Sequence, residues 1–259
     1  MARWWGKARK AKGVEAVAER QGASMGPVHG TLPGQIEGSD GLRAVTLSVH
    51  DAGLTLADDD GDGGHGAAAQ RVYPWAEVAH IWTANDMEVD PAVDDTVVTR
   101  WVHVQRLAFT DGTVVALRLT DPPVVTPKSV FVTGVIADHP PSTIWPLLER
   151  IRDHVTELHV AEAKATLAEG GRVEFGPLTA TADGLLHDGT AVPWEDITSL
   201  RYSYVPVSMF EDDLGSRLRM EFRDRNAGQY GWPYQWLRIP ALEVPDIEVL
   251  VRLATEGRT

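Results

Sequence analysis

Tyr73-Pro74-Trp75-Ala76-Glu77-Val78 and Val192-Pro193-Trp194-Glu195-Asp196-Ile197 are two copies of one pattern, and they decide how the chain is read. Each places a proline bend before a tryptophan, then an acidic residue and a β-branched one. Proline fixes the backbone angle, and a large ring directly after it is suited to anchor a strand in a small core. The surroundings repeat more loosely. Asp51-Ala52-Gly53-Leu54 matches Ala182-Asp183-Gly184-Leu185, Leu107-Ala108-Phe109-Thr110-Asp111 matches Met220-Glu221-Phe222-Arg223-Asp224, and Ala116-Leu117-Arg118-Leu119 matches Trp236-Leu237-Arg238-Ile239. Self-similarity of this kind means one structural unit used twice.

Outward from each copy the pattern has period two, as in half-buried strands. Val45, Leu47 and Val49 alternate with Ala44, Thr46 and Ser48, and Leu54 and Leu56 resume after a turn at Asp51-Ala52-Gly53. Residues 101–109 and 113–120 read as strands joined at Asp111-Gly112, a strong hairpin pair. In 217–224, Leu218, Met220 and Phe222 alternate with Arg217, Arg219, Glu221 and Arg223, which predicts a strand with one wet face. Each copy ends in a helical pattern. Over 142–169, Ile144, Leu147, Leu148, Ile151, Val155 and Leu158 fall at three- and four-residue spacings; over 244–256, Ile247, Leu250, Val251 and Ala254 form the stripe. The expected fold class is α+β, mainly β: two modules, each a bent antiparallel sheet or partial barrel closed by a C-terminal helix. The expected boundaries are a basic arm and flexible linker over 1–41, a first module over 42–169 with an acidic loop insertion, and a second over 170–259.

A hairpin, the apolar-Pro-Trp-x-acidic-(Ile/Val) strand entry, further strands and one closing helix together resemble the bacterial pleckstrin-homology-like (PH-like) domains. The tandem arrangement is similar to a family of bacterial proteins with two such modules. The second copy carries the closer match, through Gly171-Arg172-Val173-Glu174-Phe175-Gly176-Pro177-Leu178, Asp183-Gly184-Leu185 and 192–197. The resemblance covers roughly residues 42–259 and implies the fold rather than a function. Many PH domains hold phosphoinositides with Lys and Arg beside the first hairpin. This chain has neither residue between Phe175 and Trp194, nor between Val45 and Gln70.

Composition narrows the function classes. With 43% hydrophobic and 24% charged residues over 259 positions, the chain is globular rather than disordered. It has no cysteine, which excludes disulfides, thiolate metal sites and thiol nucleophiles. The net charge of −13 argues against nucleic acid as a partner. The charge is unevenly spread. Residues 1–20 hold six Lys/Arg and two Glu, leaving 18 basic against 35 acidic residues in the rest. No apolar stretch approaches the roughly 20 residues of a membrane span. No signal-peptide core follows the basic start. The expected location is the cytoplasm, peripheral to the inner face of the membrane where the arm engages it.

Catalytic motifs fail on context. Gly22-Ala23-Ser24-Met25-Gly26 has the spelling of a nucleophile elbow, but a charged stretch precedes it and Pro27 follows, where a strand and a helix are required. His154 and His159 stand five apart, about 140° around a helix, so they cannot share a metal and read as two exposed helix histidines. There is no Walker loop and no Gly-x-Gly-x-x-Gly. The expectation is therefore no catalytic residue, no cofactor and no metal. Asp58, Asp60 and Asp62, with Gly63, match the opening of a calcium loop, but Ala69 stands where its bidentate glutamate belongs. A solvated acidic loop with at most weak cation binding is the reading.

Two segments remain as binding candidates. Tyr230, Trp232, Tyr234 and Trp236 alternate, so on a strand all four rings share one face. Tyrosine and tryptophan are favoured in protein interfaces, and the segment competes between core packing and a partner-binding surface. Trp4 and Trp5 lie beside Lys7, Arg9, Lys10 and Lys12, a composition suited to weak membrane-surface contact. Three functions follow in order: a non-catalytic binding or scaffold protein with an unknown protein partner, a peripheral membrane-surface protein held by the arm, and an enzyme with a carboxylate site between the modules.

Overall fold

The computed structural model describes residues 25–38, 41–59, 70–91, 96–127, 144–205, 215–224 and 234–256. The chain forms two compact units, Met1–His80 with Leu107–Ala116 and Ile81–Arg106 with Leu117–Thr259. The class is α+β, mainly β, with antiparallel sheets.

In unit 1, β1 (Val28–Gly38), β2 (Gly41–His50), β3 (Gly53–Asp58) and β4 (Arg71–Pro74) form an antiparallel meander, and the start of β7 (Val114–Thr120) pairs β1 at Gln35 and Ile36. The alternation seen in the sequence is the burial pattern: Val45, Leu47, Val49, Leu54 and Leu56 are buried, with Thr46 and Ser48 between them less so. β6 (Thr96–Phe109) reaches β7 through the turn at Asp111-Gly112. Gly112 takes φ +89 there, and the Asp111 carboxylate accepts the Thr113 N–H at 2.8 Å. The Tyr73 ring stacks on Phe109 with centroids 3.9 Å apart, and its hydroxyl donates to Asp111 and lies 3.2 Å from the Thr113 hydroxyl.

One expectation is corrected here. The segment 21–41, read as a flexible linker, contains the long strand β1 in its described part. Its glycines drew attention away from Leu32 and Ile36, which sit an even number of residues apart and are both buried. A glycine in a strand weakens it without forbidding it when pairing and burial on both sides of it hold. Among the described residues Pro33 has only β2 beside it, before the pairing with β7 begins, an edge position of the kind where proline is tolerated.

In unit 2, β5 (Val78–Pro91), β6 and β7 are neighbours, and β8 (Val124–Pro127) pairs β6; the division between the units falls within these strands. Helix α1 (Trp145–Ala168) follows, then a sheet of β9 (Val173–Phe175), β10 (Leu178–Ala180), β11 (Gly184–His187) and β12 (Thr190–Pro193). Asp188 and Gly189, with φ 47 and 78, make the tight turn from β11 to β12. A second sheet has the order β13 (Ile197–Val205), β14 (Gly215–Arg223), β15 (Tyr234–Pro240), and helix α2 (Ile247–Glu256) closes the chain. One core joins Phe175, Leu178, Leu185, Ile197, Leu218, Met220 and Ile239 with Val249, Leu250 and Leu253 of α2 and Val160 and Ala163 of α1. Helix α1, expected to close the first module, thus shares its core with β9–α2.

The repeated motif builds the same local structure twice. Trp75 and Trp194 each open a single 3-10 turn after a proline with φ near −55. The Trp75 indole N–H donates to the Asp51 carbonyl at 2.8 Å, and that of Trp194 to the Thr181 carbonyl at 3.0 Å. Gly53 pairs Pro74 and Gly184 pairs Pro193. A Cβ at either glycine would stand 2.2 Å from a backbone carbonyl oxygen, of Tyr73 or of Val192.

Candidate interaction surface

The face of the β13–β14–β15 sheet turned away from the core is built by register. Leu200, Leu218, Met220 and Ile239 point into the core, so the residues between them point out. Arg201 stands opposite Arg219, and Arg219 opposite Arg238, which sets three guanidinium side chains in one row across three strands. In the flanking rows Glu221 faces Trp236, Arg223 faces Tyr234 and Arg217 faces Pro240. The face therefore carries five arginines and one carboxylate, in a chain whose net charge is −13.

Like charges directly opposite on neighbouring strands are destabilising. Among the described residues, no carboxylate lies within ion-pair distance of Arg201, Arg219, Arg223 or Arg238. The Nε of Arg219 is buried and has no acceptor. Beside this row, Tyr234 and Trp236 are 41% and 57% exposed, which removes both from the core and puts them on the outer face. Their strand β15 is an edge: among the described residues it pairs β14 on one side only. Tyr230 and Trp232 lie outside the described residues.

The other sequence candidates fare differently. Asp58 is the last residue of β3, with its carboxylate 3.8 Å from Arg43 and 3.6 Å from Arg71, so its charge is already opposed by two cations. Asp60 and Asp62 lie outside the described residues, as do Trp4, Trp5, Lys7, Arg9, Lys10 and Lys12. His159 is not the exposed helix histidine expected: its Nδ1 lies 3.1 Å from the buried Asp246 carboxylate. No signal in the helical spacing reveals that, because the partner comes from a distant segment.

Two features could suggest chemistry. His103, Asp121 and Asn85 form one buried network: the His103 Nε2 meets the Asp121 carboxylate and its Nδ1 meets the Asn85 side-chain oxygen, both at 2.9 Å. The His103 and Asp121 side chains are 1% exposed and the His103 ring tilts against Trp145. A general base must reach a substrate. Here both ring nitrogens are engaged and water is shut out, so the network ties β5, β6 and the segment after β7 together. A half-open cavity of ≈ 230 Å³ is lined by Lys164, Leu167, Ala182, Trp194, Leu253 and Glu256. Its two charged residues pair with each other. Among the described residues no group of three or more His, Asp or Glu could hold a metal, and no helix is long and apolar enough to cross a membrane.

Comparison of the chain with protein-family models, with curated proteins and with solved structures returned no match.

Proposed function

We propose that this protein is a non-catalytic binding or scaffold protein, built from two PH-like modules, that takes a partner protein on the β13–β14–β15 sheet. The recurrence of the proline–tryptophan turn, with the same indole hydrogen bond and the same crowded glycine, supports the tandem reading. The observation that carries the function is the exposed pair Tyr234 and Trp236 on an edge strand. An unpaired edge presents a row of backbone donors and acceptors to an incoming strand, and exposed rings beside it supply contact area. Monomeric proteins usually blunt such an edge with lysine or proline. β15 has proline only at its last position and no lysine.

Affinity capture from the source cell tests this, with the wild type against Trp236→Ser and against Trp236→Ser/Tyr234→Ser. A defined set of proteins recovered by the wild type and lost from both variants is the expected result. Recovery of the same set by all three would contradict the assignment of β15 as the binding edge.

A further inference from the structure

Resting on that reading, we propose that the partner segment is an extended acidic peptide, added as a strand beside β15 with a carboxylate set at Arg238, the edge-strand end of the arginine row. Among the described residues, no carboxylate offsets the like charges of the arginine row. Arg201, Arg219 and Arg238 stand in register across roughly 10 Å, two strand spacings, and meet no carboxylate among the described residues. Nothing in the core demands arginine on an outward-facing row. An anionic ligand offsets that repulsion on binding, so charge complementarity contributes to affinity.

Geometry then says how the charges must be spaced. Arg238 and Trp236 are two positions apart on β15 and share its outer face. A strand paired to the open edge places alternate side chains on that face, one beside each. The fitting sequence is acidic, any residue, apolar, with the acidic side chain at Arg238 and the apolar one at Trp236. Glu221 lies opposite Trp236 and disfavours a second carboxylate there.

Nucleic acid and anionic membrane share the negative charge, and two features speak for the peptide over them. The open edge offers backbone hydrogen bonds that only another polypeptide strand can match. The chain as a whole, at −13, repels an extended polyanion, whereas a short peptide brings only a few charges to a local positive face.

Fluorescence anisotropy with the full chain tests the proposal. The probes are a labelled peptide repeating Glu-Thr-Val-Thr (the Glu–Val peptide), which sets Glu and Val two positions apart on one face, its counterpart with Lys in place of Glu, a single-stranded oligothymidylate and phosphatidylserine vesicles. The Glu–Val peptide should bind, more weakly as salt rises, and the other three should not. Arg219→Ser/Arg238→Ser should weaken binding about tenfold or more, since a charge-assisted contact at Arg238 is lost together with the positive charge of the neighbouring Arg219. Arg118→Ser, which removes an exposed arginine paired with Glu88 elsewhere, should leave it unchanged. The double variant should also melt at or above the wild-type temperature, which separates lost binding from lost folding. No binding of the Glu–Val peptide, equal binding by the double variant, or preference for the oligonucleotide or the vesicles would each overturn the proposal. Partners captured through Trp236 but retained by Arg219→Ser/Arg238→Ser would overturn the acidic specificity while leaving the binding edge in place.

Discussion

Burial of single polar groups sets how this protein responds to pH and to substitution. Tyr202 points into the core side of its sheet and donates to Ser216 Oγ, and burial, the largest cause, pushes its hydroxyl up to about 12. The unfolded chain releases that proton near pH 10, so the folded state holds more protons between 10 and 12. The contribution is fully present below pH 10 and is lost as pH rises through about 12, amounting to about 3 kcal/mol at most. Thermal melts across that range should show a falling Tm, and Tyr202→Phe should flatten the fall; an identical slope in the variant would refute the account. Tyr73, also raised by burial, leaves a smaller residual slope in both. Gly184 and Gly189 make a second contrast. A Cβ at Gly184 meets the Val192 carbonyl oxygen at 2.2 Å, whereas one at Gly189 meets open space and carries only the penalty of φ +78. Gly184→Ala should cost about 3 kcal/mol or more, because backbone cannot step aside. Gly189→Ala should cost only about 1–2 kcal/mol. Denaturant unfolding of the two variants reads the difference, and equal costs would show that the crowding is not real.

At the scale of elements, the start of α2 depends on one side chain from a distant register. Asp246 sits at φ 52. Its carboxylate accepts the Ile81 N–H at 3.0 Å and meets His159, its own N–H donates to the Ile81 carbonyl at 2.7 Å, and its carbonyl takes the Val249 N–H. Aspartate and asparagine tolerate that backbone conformation and alanine does not. Asp246→Asn should therefore cost about 1 kcal/mol and Asp246→Ala about 2–4 kcal/mol, since the latter also orphans a buried donor. Equal losses in urea titrations would sink this account of the helix start. Periodicity made most elements legible: the Asp111-Gly112 hairpin, the alternation of β2 and β14, and both helices, whose described bounds fall within three residues of those expected. β1 escaped because its glycines masked two buried positions. The arginine row escaped for a different reason. One strand, Arg217 to Arg223, showed a wet face by itself, but the alignment of Arg201, Arg219 and Arg238 is a property of register between segments, which no local pattern encodes.

For the molecule as a whole, net charge misleads about where anions are welcome. An acidic chain was expected to refuse anionic partners except through its basic arm, yet unit 2 carries a face with five arginines against one glutamate. The global field and the local face act at different ranges: the first discourages polyanions, the second selects short acidic segments. Amide chemical-shift mapping of the labelled protein during titration with the Glu–Val peptide tests the central claim most directly. The account predicts saturable shifts concentrated in residues 234–240 of β15 and at 217–223 of β14. No shifts, or shifts concentrated around the cavity at Lys164, Trp194 and Leu253, would contradict it.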